Sequence, residues 1–372
     1  MIPFIDLDSQ QQRISEELNA AISRVLSHGA YIMGPEVKAL EEALCAFSNT
    51  KHALSCSNGT DAITLFLRAK NVGAGDAVIV PSFTFIATAE TVALCGATPI
   101  FIDVDEDSYN LNPNSLQEGL VCAKKEGLNP VGVISVDLFG RPAEYTAIGD
   151  FCKNNDLWFL ADAAQAFGAT YNNTPIGTLA DATTTSFFPA KPLGCYGDGG
   201  AIFTQDNTLN DTMKSLRVHG KGDNKYDNIR IGMNARMDTI QAAILIEKLK
   251  IFPDEIIARN ALATSYNQAF KDILITPNIP ENCTSTWAQY VLRIDASRRE
   301  NLLNKLKERN IPTVVYYPIP LHQQKAYSHY PHCNPDLSEK LSTEVFSLPM
   351  HPYMDDATRD MIIDEVTKAV TA

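Results

Sequence analysis

The 372-residue chain lacks the marks of several protein classes. Its eight cysteines, at 45, 56, 95, 122, 152, 195, 283 and 333, form no CxxC pair and no His/Cys cluster. That pattern argues against a zinc site or a disulfide framework and suits a reduced cytosolic protein. Positive charge is scarce: 31 Lys and Arg stand against 44 Asp and Glu, for a net charge of −13. The basic footprint of a general nucleic-acid binder is therefore missing. The opening Met1-Ile2-Pro3-Phe4-Ile5-Asp6 has none of the charged-then-apolar order of a signal peptide. No hydrophobic run reaches membrane length, because Pro81, Glu90 and Pro99 divide the nearly charge-free stretch 77–102 into strand–helix–strand. The dinucleotide fingerprint is absent, and so is a Walker loop. These absences predict a cytoplasmic protein with no metal, no nucleic acid and no membrane among its partners.

What is present reads as α/β. An apolar fraction of 45% with 20% charged residues is ordinary for a globular chain, and the length suffices for two domains. Short β-rich runs, most of them continuously apolar, predict strands at 53–56, 77–80, 100–104, 132–136, 158–161, 183–187 and 201–204. They do not alternate, the sign of strands covered on both faces in a mostly parallel sheet. Helical stretches lie between them, at 61–69, 87–95 and 144–154, and complete a βαβ rhythm. Residues 238–252 repeat Ile240, Ile244, Leu245 and Leu249 at helical spacing, and Pro253 then interrupts or restarts the helix. We place a domain boundary there: residues 1–252 form the large domain and 253–372 a smaller α+β domain. In the latter, Ser297-Arg298-Arg299-Glu300 reads as a capping box before a helix. A β-branched run follows at 313–317, and a last helix at 356–370.

The chemistry concentrates at strand ends. Lys191 stands in Ser186-Phe187-Phe188-Pro189-Ala190-Lys191-Pro192-Leu193-Gly194, ahead of the turn Gly197-Asp198-Gly199-Gly200. Asp162 ends the run Leu157-Trp158-Phe159-Leu160-Ala161, where ligands gather in open α/β sheets. A lysine held by Pro and Gly, a strand-end carboxylate and a Gly-rich anion loop are what pyridoxal 5′-phosphate requires. Cys56-Ser57-Asn58-Gly59-Thr60-Asp61 opens a helix whose first N–H groups suit a phosphate, although the same residues also make an ordinary turn and N-cap. Ser186, five residues before Lys191, is close enough to help hold that phosphate. Phe83 and Phe85 are core residues or a platform for a planar ring. From Lys214 to Arg236 there are six Lys and Arg (214, 217, 221, 225, 230, 236) against two Asp, either a solvated face or a site for an anion such as a nucleotide diphosphate.

These pieces together resemble the DegT/DnrJ/EryC1/StrS family of pyridoxal-phosphate-dependent sugar aminotransferases. The matches run from Phe4-Ile5-Asp6-Leu7 through Gly34-Pro35-Glu36-Val37, Ser57-Asn58-Gly59-Thr60-Asp61-Ala62, Asp162-Ala163-Ala164-Gln165 and the lysine motif to Tyr317-Pro318. The resemblance implies the aspartate aminotransferase-like type I fold and a homodimer with shared active sites. It implies that Lys191 is the Schiff-base lysine and proton shuttle, Asp162 the partner of the ring nitrogen, and Gln165 a neighbour of the ring's phenolic oxygen. Gly59, Thr60 and Ser186 match phosphate positions, Asn234 a phosphate contact from the other subunit, and Phe85 the stacking aromatic. The stretch 186–201 most resembles members that take L-glutamate and UDP-2-acetamido-2-deoxy-3-oxo-D-glucuronate in bacterial surface polysaccharide synthesis. Tyr31, Arg236, Tyr316 and Tyr317 are then substrate contacts, although that subgroup often carries His where Tyr316 stands. A 3- or 4-keto-6-deoxy sugar on UDP or dTDP is the alternative substrate. Lys191 argues against a dehydratase of the same fold, which has His there, and a non-catalytic regulator would usually add a basic DNA-binding module.

Overall fold

All seven strand candidates form strands, and each is longer or shorter than expected by at most a few residues. The structure, a computed structural model, describes residues 2–224 and 226–371; Lys225 of the basic stretch lies outside them. In chain order the helices are α1 (Leu7–Arg13), α2 (Ser15–His28), α3 (Pro35–Ser48), α4 (Gly59–Ala69), α5 (Ala87–Leu94), α6 (Leu116–Lys125), α7 (Tyr145–Asn154), α8 (Asn207–Arg217), α9 (Thr239–Phe270), α10 (Ala296–Glu308), α11 (Asp336–Glu344) and α12 (Asp356–Thr371). The strands are β1 (His52–Cys56), β2 (Asp76–Pro81), β3 (Thr98–Ile102), β4 (Asn129–Val136), β5 (Trp158–Asp162), β6 (Thr170–Tyr171), β7 (Thr174–Pro175), β8 (Ala182–Ser186), β9 (Gly200–Thr204), β10 (Cys283–Thr284), β11 (Tyr290–Arg293), β12 (His332–Cys333) and β13 (Val345–Leu348).

The main sheet has the order β1-β9-β8-β5-β4-β2-β3-β12, and only β9 runs against its neighbours. Successive residues of a strand face opposite sides, so a sheet covered on both faces favours apolar side chains at successive positions, although the central β8 buries Thr183, Thr184 and Thr185. Val78 and Val80 accordingly join one buried cluster with Leu54, Phe66, Leu160 and Ile202, and Ala77 and Ile79 join another with Ile100, Val133 and Phe159. Because β9 turns back on β8, the segment 187–199 that carries Lys191 is a hairpin-like loop at the carboxyl ends of the parallel strands. Asp162, Ser186 and the β1–α4 junction end at that same edge, where open α/β sheets bind ligands.

Three expectations are corrected. Pro253 does not interrupt a helix: α9 runs unbroken through it. The ring lies on an exposed face, and packing on both sides carries the helix through. Leu249 and Phe252 belong to one buried cluster, Leu262, Tyr266 and Phe270 to another. Tertiary packing outweighs the local penalty of about 3 kcal/mol for an interior proline. The run 313–317 makes only an isolated bridge, Val314 to Ser347, between Pro312 and Pro318, which cannot donate to a ladder. The N-cap of α10 is Asp295, which accepts from the Ser297 N–H at 2.9 Å, so Ser297 is already inside the helix.

Candidate active site

Asp162 is the last residue of β5 and only 6% exposed. One of its oxygens accepts from the Ala164 N–H at 3.0 Å. Burial pushes its pKa up from 3.8, against the pull of that hydrogen bond and of the Lys191 charge. Lys191 sits half-buried in the loop after β8, its N–H donating to the Phe188 carbonyl at 2.8 Å. Burial lowers its pKa from 10.5, and the Asp162 charge opposes that shift. The two groups thus feel each other's charge, yet among the described residues no ion pair within 4.0 Å joins them. A buried carboxylate without a close cation is costly, so it is receptive to one placed beside it.

The anion loop forms where β1 meets α4. Asn58 caps α4 by accepting from the Asp61 N–H at 2.7 Å, and the N–H groups of Gly59 and Thr60 have no intrahelical acceptor. Gly59 lies against the end of β8 so closely that a Cβ there would be 2.8 Å from the Ser186 Cβ. The candidate phosphate residues Gly59, Thr60 and Ser186 therefore converge on one corner, although they come from chain segments far apart. Asp61 also lies in this first turn, but its carboxylate is occupied by Ser57 Oγ and Asn58 Nδ2.

A third group closes the other side. Gln165 is buried, accepts from the Phe139 N–H at 2.7 Å and donates to Tyr317 Oη at 3.1 Å. Burial raises the phenol pKa of both Tyr316 and Tyr317. The Tyr316 ring meets that of Tyr317 edge-on at 5.8 Å. Phe83 is core, as one of the two readings allowed. Phe85 is 51% exposed with its ring 6.3 Å from Tyr317, so its apolar face is open to a flat partner.

Tyr31, Asn234 and Arg236 gather around the start of α9. The Tyr31 carbonyl accepts from the Thr239 N–H at 3.0 Å, and the Ala235 carbonyl accepts from Ser57 N–H at 3.1 Å. Tyr31 and Asn234 are exposed, and Arg236 is half-buried with its Nε buried and unpartnered. Among the described residues no hydrogen bond or ion pair joins these three to Lys191 or Asp162.

The sequence reading missed Asp137, the residue just beyond β4. Its N–H donates to the Asp162 carbonyl at 2.9 Å, and its carboxylate accepts from Tyr145 Oη at 2.6 Å and the Ala143 N–H at 2.8 Å. Complete burial pushes it up to about 7. Its signal was available: Val136-Asp137 closes one apolar run as Ala161-Asp162 closes the next.

Residues 12–367 match the description DegT/DnrJ/EryC1/StrS aminotransferase family. A Pseudomonas aeruginosa protein named UDP-2-acetamido-2-deoxy-3-oxo-D-glucuronate aminotransferase is 45% identical over 368 residues, covering 99% of this chain and 100% of its own. Among solved structures, a DegT DnrJ EryC1 StrS aminotransferase from Brucella abortus superposes with a TM-score of 0.98 at 47% identity, over 100% of both chains. S. venezuelae DesV, solved in complex with a ketimine intermediate, has a TM-score of 0.94 at 33% identity, over 100% of this chain and 99% of that one.

Proposed function

Because the chain belongs to the DegT/DnrJ/EryC1/StrS aminotransferase family, we propose that it moves the amino group of L-glutamate to a keto group of a nucleotide-linked sugar, with pyridoxal 5′-phosphate as cofactor and UDP-2-acetamido-2-deoxy-3-oxo-D-glucuronate as acceptor. One observation carries the reading: a half-buried lysine and a buried carboxylate that feel each other's charge without forming an ion pair, beside a helix N-terminus packed on a serine. When bound, the cofactor supplies a carbonyl carbon that takes up the amino group and a ring that accepts the electron pair released at the substrate carbon.

Lys191 holds the cofactor covalently between turnovers and, once displaced by the donor amine, shuttles the proton at the substrate carbon. Its lowered pKa suits that work, since a neutral amine is needed to take the proton. Asp162 holds the pyridine nitrogen in its protonated form. The first turn of α4, through Gly59 and Thr60, and the Ser186 hydroxyl hold the phosphate. Gln165 reaches the phenolic oxygen, and Phe85 stacks on the ring.

A second copy of the chain completes the site in this reading. Asn234 brings its phosphate contact, and Arg236 its substrate contact, from the partner. Exposed apolar side chains at Tyr31, Ile32, Met33, Ile229 and Ile231 support such an interface. Mixing Lys191→Ala with Arg236→Ala protomers is expected to restore activity that neither variant has alone, because a heterodimer keeps one intact site. An inactive, verified heterodimer would remove the shared-site reading. We place the domain boundary within α9, near 252/253, and the enzyme in the cytosol, where its eight unpaired cysteines stay reduced. Its product would feed surface polysaccharide synthesis. Among the described residues no helix is long and apolar enough to cross a membrane.

Arg236 tests the acceptor. Its unpartnered Nε is one arm of a fork that pairs bidentately with a carboxylate in a way that lysine cannot match. With a keto-uronate, Arg236→Lys should lose a charge-assisted hydrogen bond worth roughly 1.5–3 kcal/mol, or about ten- to a hundredfold in kcat/KM. The matching neutral keto sugar should lose much less. Wild-type assays with glutamate and a panel of UDP- and dTDP-keto sugars set the baseline. Equal losses on both sugars would assign Arg236 to the diphosphate or the interface and withdraw the uronate.

A further inference from the structure

Lys248 is a buried cation that the site described so far does not use. It lies on α9 with no exposed surface. Its Nζ donates to the Gly194 carbonyl at 2.8 Å and sits 4.2 Å from the centroid of the Tyr196 ring. Both partners belong to the 187–199 loop, three and five residues beyond Lys191. Gly194 is packed so closely there that a Cβ would lie 2.5 Å from the Pro189 carbonyl oxygen, so the loop has little freedom to relax around it.

The same helix grips the loop a second time. Gln241 stands seven residues before Lys248, two helical turns away and on the same face. Its side-chain oxygen accepts from the Tyr196 N–H at 2.9 Å, and its amide donates to the Tyr196 carbonyl at 3.3 Å. Two side chains of α9 thus take three main-chain groups of one short segment. A leucine at 248 would continue the apolar face of Leu245 and Leu249 without the cost of burying an ammonium, which is large enough here to push Lys248 down to about 8. Burial of that kind is worth its cost where the charge fixes something else. The α9 helix also starts three residues after Arg236, so the segment carrying the donor-side lysine and the segment carrying the candidate substrate arginine share one rigid support.

We propose that Lys248 is a positioning residue: with Gln241 it locks the 187–199 loop to α9, so that the Lys191 amine is presented to the cofactor carbon in one geometry. This rests on the assignment of Lys191 made above. The test uses the enzyme loaded with pyridoxal 5′-phosphate, comparing wild type with Lys248→Met. Borohydride trapping followed by peptide mass spectrometry reports whether Lys191 carries the cofactor. Visible-region circular dichroism reports how the bound chromophore is held, and kinetics separate kcat from KM for glutamate.

Lys248→Met is expected to keep the wild-type far-ultraviolet spectrum and the adduct on Lys191. Its visible dichroism should change, and kcat should fall about ten- to a hundredfold, the scale of a misplacement near 1 Å, with KM little altered. Wild-type dichroism and kcat would overturn the proposal, and so would a lowered Tm with both of those unchanged, which is what a merely structural lysine predicts. If Lys248→Met does not fold, Gln241→Leu at a half-buried position is read the same way, and wild-type dichroism and kcat there would overturn it equally. A wild-type protein with no adduct on Lys191 would instead remove the cofactor assignment.

Discussion

Lys191→Ala is expected to bind pyridoxal 5′-phosphate without a covalent bond and to lose turnover by roughly 10²- to 10⁴-fold or more. The lower figures are what a positioned proton-transfer group contributes, and Lys191 is assigned the covalent role besides. Binding survives because the phosphate is assigned to the first turn of α4 and to Ser186, which the substitution leaves in place. Borohydride should fix the cofactor to Lys191 in the wild type and release it from the variant on denaturation. A small amine such as methylamine, supplied in excess, should restore part of the lost proton transfer. An adduct on a lysine other than Lys191, or a variant with wild-type turnover, would sink the assignment. A variant that no longer binds the cofactor would show that the phosphate corner is too weak to hold it alone.

The sheet was legible because its strands are covered on both faces. Residues such as Val78, Ile79 and Val80 are apolar in succession only if both sides are buried, and each such run became a strand. The candidate site residues that stand at strand ends, such as Asp162 and Ser186, could be placed from the sequence because those ends close recognisable runs. Elements held by tertiary contacts were not. The sequence reading places no element before residue 50, yet α1, α2 and α3 form there, and α2 and α3 both pack on α9. Pro253 was misread for the same reason: the signal is local, whereas the cores that carry α9 past it draw on Trp287 and Phe346 far downstream. The strand β12 is two residues long and has no periodicity to detect.

Residues such as Asp137 and Lys248, which touch the candidate site's segments only through the fold, were the ones missed. Lys248 reads in isolation as an ordinary helix lysine, and only the fold brings it to Gly194, 54 positions away. Tyr31, Asn234 and Arg236 were named through family resemblance, and among the described residues no hydrogen bond or ion pair joins them to Lys191 within the single chain. Spacing along one chain carries no information about which copy a side chain serves, so those assignments depend on the heterodimer experiment.

Asp162→Asn should separate stability from catalysis by moving them in opposite directions. The carboxylate is buried with its pKa raised above 3.8, so between that value and its raised one the folded state binds the proton that the unfolded state has lost. Stability from this group is therefore lost as pH rises through that window, and at neutral pH the ionised group is a liability in the cofactor-free protein. Asparagine keeps the shape and removes the charge, so the cofactor-free variant should be more thermostable than wild type above the window and should show a flatter pH dependence. The Asp162 charge also raises the Lys191 pKa against burial. Without it that pKa falls further, the amine is neutral more of the time, and an amine-selective acylating reagent should modify Lys191 faster in the cofactor-free variant. The loaded enzyme should show the reverse. Removing a preorganised electrostatic partner costs roughly 10²- to 10³-fold in kcat, and added cofactor should raise Tm less in the variant than in wild type. Melting curves with and without cofactor, together with kcat, decide the matter. Equal stabilisation of both proteins by the cofactor, with turnover unchanged, would mean that Asp162 does not meet the ring nitrogen and serves only to end β5.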